Sequence, residues 1–247
     1  MALREFYVGY LAMPPRLKWI VRGLVVLLLT LIAADAWLIA TLQPAAGNGS
    51  WAETPQEYAG TLTRTPYPML RVSTASGLKT YLLVSDEKRG AEAALGVTPD
   101  GPVKLTGFPI ARSSFGMIEL AANNVAVVGE TPPIEEPARE VHGQVTLDGE
   151  IVDSKCWLGV MRPGEGHIHK ACASLCIQGG IPPMFVNRTS DKAPSVMLLT
   201  QADGSAVAPD SIMPYVGDAV RLSGMLEKRG DLWVLKADLA TLARMHN

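Results

Sequence analysis

The chain has 247 residues, a formal net charge of -2 and three cysteines. The near balance of acids and bases removes the electrostatic case for a nucleic-acid partner, and the length admits a membrane anchor plus one or two small domains. Frequent Gly (23) and Pro (18), with Val/Leu/Thr runs between them, point to a mainly β protein with many turns.

Residues 1–18 read as a cytoplasmic N-terminal segment and 19–43 as a transmembrane anchor helix. From Leu24 to Leu42 the sequence is LVVLLLTLIAADAWLIATL, apolar except for Asp35, and about 20 such residues cross a bilayer. Trp19 and Trp37 suit the two interfaces. Arg4, Arg16, Lys18 and Arg22 lie on the N-terminal side, and no base follows until Arg64. The positive-inside rule then places the N-terminus in the cytoplasm and the rest outside, periplasmic on a single-pass inner-membrane protein. The competing reading is a cleaved signal peptide, because Ala34-Asp35-Ala36 has the A-x-A form; the apolar run continuing through Trp37-Leu38-Ile39 favours the uncleaved anchor. Pro14-Pro15 breaks the chain before the helix, and Asp35 suits either an interface or a contact within a larger membrane complex.

After a polar linker, 44–56, two passages share one grammar. YAGTLTRTPYPML, KTYLLVSDEKRGA and GPVKLTGFPIARSSFGMIELA are answered by VHGQVTLDGEIVD, SVMLLTQADGSAV and GDAVRLSGMLEKRGDLWVLKA. Gly107 and Ile118 are as far apart as Gly224 and Leu235, and Tyr81 matches Met197. The match aligns the opening glycines as Gly60 and Gly143. Alternating strands that close in a hairpin, with Lys228-Arg229-Gly230-Asp231 as the second turn, predict two tandem OB-like small β-barrels. Their bounds are 57–128 and 139–245, joined by a Pro/Glu-rich linker, 129–138. The alternative is one β-sandwich whose strands share only general β patterning.

The second passage holds extra residues, a Cys/His-rich helical insert over 153–185. The spacing predicts a helix from His167 to Gln178 (HIHKACASLCIQ), stopped by Gly179-Gly180 and Pro182-Pro183. On it His169, Cys172 and Cys176 share a face, and Cys156 arrives from the preceding strand. Cys156, His169, Cys172 and Cys176 form a candidate metal site, with His167 as a spare ligand. Thiolate and imidazole together suit Zn or Cu, and an iron–sulfur centre fits less well without C-x-x-C spacing. Two other readings use the same residues: a disulfide from Cys156 to Cys172 or Cys176 with a thiol left over, and a reactive thiol near Lys170. Met161 and Met184 are read as core residues rather than copper ligands, His142 and His246 as solvated, and Asn187-Arg188-Thr189 as a glycosylation pattern relevant only to a eukaryotic secretory setting. No Ser/His/Asp set, carboxylate pair or nucleotide-binding motif supports an enzyme.

The run DSKCWLG…HKACASLCIQGGIPPMFV resembles a group of bacterial extracytoplasmic small β-barrel proteins that carry D-x-x-C, H-x-x-C-A-x-x-C and G-x-P. The resemblance covers about 140–240. It implies Asp153, Cys156, His169, Cys172 and Cys176 as the matching positions and carries no reaction with it. The expected role is a membrane-anchored accessory or assembly protein, a subunit or partner of a membrane complex. The alternative role is an electron-transfer or thiol-redox protein built on the same cluster.

Overall fold

The structure, a computed structural model, describes residues 13–42, 49–128, 132–188 and 193–245. His246 and Thr189 of the Asn187-Arg188-Thr189 pattern lie outside the described residues, as do Arg4, most of the 44–56 linker's first half and the first part of the 129–138 linker.

Helix α1 spans Pro15–Leu42, 28 residues, starting earlier than the sequence pattern implied. Pro15 takes the first helical position, where its missing N–H costs nothing. The helix is long and apolar enough to cross a membrane or to serve as a signal sequence. Thr30 donates to the carbonyl of Val26 at 2.8 Å, and Thr41 to that of Trp37 at 3.0 Å. Such back-bonding hides hydroxyls that an apolar environment would penalise.

The described residues from 49 onward form a separate compact unit. It is mainly β and contains two closed five-stranded barrels. The first uses β2 (Gln56–Thr63), β3 (Met69–Thr74), β4 (Gly77–Val84), β5 (Gly101–Arg112) and β6 (Phe115–Val127), with the short β1 (Ser50–Trp51) added beside β5. The second uses β7 (Arg139–Asp153), β8 (Pro183–Asn187), β9 (Val196–Gln201), β10 (Ala219–Arg229) and β11 (Leu232–Arg244). A short helix precedes the fourth strand of each, α2 (Glu92–Leu95) and α4 (Pro209–Ile212); α3 (Lys170–Gln178) lies between β7 and β8.

The two barrels match in strand order and in register. Their third and fifth strands pair in parallel, Leu83 opposite Ile118 and Leu199 opposite Leu235. Their last two strands are antiparallel, Gly107 opposite Leu120 and Gly224 opposite Ala237. One alignment needs correction. Gly60 lies opposite Val103, and the residue opposite the equivalent Val220 is Gly149, not Gly143. The reason is close backbone approach: a Cβ on Gly60 would lie 2.2 Å from the Arg71 carbonyl oxygen, and one on Gly149 would lie 2.1 Å from that of Val186. The opening strand of the second passage holds two glycines, Gly143 and Gly149, against the single Gly60 of the first, and sequence pattern alone does not choose between them.

The barrels are not independent beads. One apolar cluster takes Met69, Leu82, Ile110 and Met117 from the first and Met184, Leu198 and Val234 from the second. Burying each such side chain contributes roughly 1.5–3 kcal/mol. Polar contacts set the docking angle. Tyr67 of the first barrel donates to the Leu199 carbonyl at 2.9 Å and accepts the Val207 N–H at 2.9 Å. Burial pushes the Tyr67 hydroxyl pKa up, so it remains a donor. Asp231 on the β10–β11 turn accepts the Thr80 N–H and pairs with Lys79 at 3.1 Å. Ile134, in the described part of the linker, donates its N–H to Thr61 at 2.7 Å.

Tyr67→Phe leaves a buried carbonyl and a buried N–H without their partner, at a cost of about 1–3 kcal/mol. Chemical denaturation of the purified chain is expected to show that loss with an unchanged slope; an unchanged midpoint would mean the interface does not depend on this bridge.

Candidate metal centre

The site begins where β7 ends. Val152, Asp153, Ser154 and Lys155 are all buried. Asp153 is fully excluded from solvent, and both of its oxygens are engaged. Oδ1 accepts the Cys156 N–H at 2.8 Å, which turns the chain back on itself. Oδ2 lies 3.0 Å from Nε2 of His169. The chain continues through Cys156–Val160 as a helical stretch broken by a kink at Gly159. Trp157 then anchors the segment: its indole N–H donates to Glu165 at 3.0 Å, and the Arg112 guanidinium from the end of β5 stacks 4.0 Å from its ring centroid.

The return path is a 3-10 turn, His167–His169, followed by α3. The expected single helix is thus divided at His169, which is buried beside Asp153. Ala173, Cys176 and Ile177 face inward from α3, whereas Cys172 is only half-buried.

The three thiols converge. The sulfurs of Cys156, Cys172 and Cys176 all lie within 4.8 Å of one another, and Asp153, Cys156 and His169 form a second group of the same compactness. Cys156 belongs to both. All three cysteines are free, with no disulfide at bonding distance. Hydrogen bonding to Cys176 and burial push the Cys156 thiol pKa up, while the hydrogen bond from Cys156 holds the Cys176 pKa down despite burial. Of the two, Cys176 is the thiol that the pairing makes easier to deprotonate.

Other expectations distribute as follows. His167 is exposed and stands outside both groups, along a surface cleft with Glu150 and Arg188. Met184 is fully buried in the core; Met161 is half-exposed. His142 is exposed at the surface and packs its ring 4.7 Å from that of Trp233.

Two lysines complete the surroundings, and spacing could not have found either. Lys155, itself buried, donates to the Ser85 and Glu87 carbonyls at 2.9 and 2.8 Å and pairs with Glu119 at 3.1 Å. Lys88 reaches Sγ of Cys172 at 2.8 Å. That contact pushes the Lys88 pKa up. Both interactions join the first barrel to the Cys segment, so the first barrel is more than support.

The donor set fits a thiophilic cation. The three sulfurs, within 4.8 Å of one another and with only Cys172 reaching the surface, are soft donors close enough for one ion to bridge. A carboxylate holding one ring nitrogen of a histidine is the arrangement that orients imidazole ligands. Cys156, Cys172 and Cys176 would hold the ion, with His169, steered by Asp153, as the imidazole available nearby. Three cysteines fall short of the four that common iron–sulfur clusters take. Comparison of the chain with known protein families, curated proteins and solved structures found no match.

Burial orders thiol reactivity. In the reduced, metal-stripped chain, Cys172 is expected to be alkylated first under native conditions, with the buried Cys156 and Cys176 reacting only on unfolding. Peptide mass mapping after timed labelling reads this directly; equal rates at all three would contradict the packing.

Proposed function

We propose that this protein is a membrane-anchored, extracytoplasmic accessory or assembly factor that holds one Zn²⁺ or Cu⁺ ion at Cys156, Cys172 and Cys176. The observation that carries the reading is the convergence of three free thiols beside the Asp153–His169 pair. The barrels are read as OB-like, since a helix precedes the fourth strand and the third and fifth strands run parallel. Residues 153–185 form the Cys/His insert of the second. The basic flank of α1, Arg16, Lys18 and Arg22, supports a cytoplasmic N-terminus with the barrels periplasmic. On this reading the partners are other subunits of a membrane complex.

The chain's residues would divide the labour. The thiolates supply soft donors. Asp153 fixes His169 and the Cys156 turn with one buried carboxylate. The surrounding apolar cluster excludes water and so strengthens each electrostatic contact. A bound ion would tie the Cys segment to the barrel.

A second reading, thiol-redox chemistry, is favoured by one feature: half-buried Cys172, touching Lys88, lies beside Cys176, whose thiol pKa is held down by the hydrogen bond from Cys156. The two readings separate on the full chain purified in detergent without chelator. Elemental analysis is expected to give about one zinc or copper per chain, with all three thiols titrating after denaturation. No metal, with a disulfide formed and reduced reversibly, would move the function to redox chemistry.

A further inference from the structure

The loop 85–90, between β4 and α2, is pinned on both sides of Lys88. On one side the buried ammonium of Lys155 holds the carbonyls of Ser85 and Glu87. On the other, the Gly90 N–H donates to the Gly179 carbonyl at 2.8 Å. The approach to α3 is so close that a Cβ on Gly179 would lie 1.8 Å from the Lys88 carbonyl oxygen. Glu87 sits at φ 54, a left-handed conformation that a non-glycine residue keeps only where its surroundings impose it.

The second barrel supplies an internal control. Its equivalent loop, between β9 and α4, reads QADGSA where the first reads SDEKRG. Both close with the same backbone pairing, Ser85 N–H to Arg89 carbonyl and Gln201 N–H to Ser205 carbonyl. The turn therefore needs no lysine to form. Lys88 is exposed, so packing does not require it either. What its placement achieves is a positive charge at the half-buried thiol, on the side of the cluster that meets solvent.

We propose that Lys88 is a positioning residue of the metal centre: its ammonium, supplied by the first barrel, compensates the charge of the Cys172 thiolate and so sets how tightly the ion is held. This rests on the metal reading above. Three thiolates around a cation of charge one or two leave excess negative charge in a water-poor pocket. A fixed cation at hydrogen-bond distance offsets it, and metal affinity then belongs to both barrels rather than to the Cys segment alone.

The test is competition of the full chain with a chromophoric chelator for Zn²⁺ at one pH, comparing wild type with Lys88→Gln, Lys88→Glu and Lys88→Arg. Loss of such an outer partner typically weakens binding about 10–100-fold. Lys88→Gln is expected to raise the Zn²⁺ Kd within that range, Lys88→Glu at least as much, and Lys88→Arg less than either. The unfolding midpoints of the metal-free variants should match wild type, a result that a merely structural lysine would not give together with the affinity loss. Equal Kd values across the series would overturn the role of Lys88 alone. A wild-type chain that takes up neither Zn²⁺ nor Cu⁺ would overturn the metal reading with it.

Discussion

Asp153 is the constraint on which the candidate site depends. A carboxylate fully removed from water is tolerated only if its oxygens are satisfied. One oxygen takes the Cys156 N–H and the other faces His169. With those two contacts a single side chain fixes where the chain leaves β7 and where it re-enters before α3. The thiol positions follow: Cys156 at the turn, Cys172 and Cys176 one helical turn apart on α3. Without Asp153 the segment would keep its cysteines and lose their common focus.

The second constraint is that the barrels share a core. Leu82 and Met117 of one meet Leu198 and Val234 of the other, so the interface resembles a domain interior more than a linker-joined pair. That shared core brings Lys88 and Arg112, far away in sequence, against Cys172 and Trp157. The site therefore depends on both repeats, although all the candidate thiol donors come from one.

Much of this was legible in the sequence, for physical reasons. The apolar run of α1 and the alternation of the strands are periodic signals, and the equal spacing from Gly107 to Ile118 and from Gly224 to Leu235 survives as equal register. Helical spacing grouped Cys172 with Cys176, and Cys156 joined them from the end of the preceding strand. His169 was found, but as a helix-face ligand rather than a partner of Asp153, whose role as a hydrogen-bond acceptor leaves no periodic trace. His167 looked equivalent to His169 by composition, and only burial separates them. Lys88 and Lys155 were illegible because their contacts cross between barrels. The one available hint was the contrast of SDEKRG with QADGSA at matching turns. Gly149 was missed because close approach to Val186 is a tertiary fact.

The measurement that bears most directly on the central claim is X-ray absorption spectroscopy at the metal edge on the full chain, isolated with its native ion. The account predicts a first shell dominated by sulfur, with three scatterers at about 2.3 Å. A shell of nitrogen and oxygen alone would contradict it, because the ion would then be bound somewhere other than the thiol cluster.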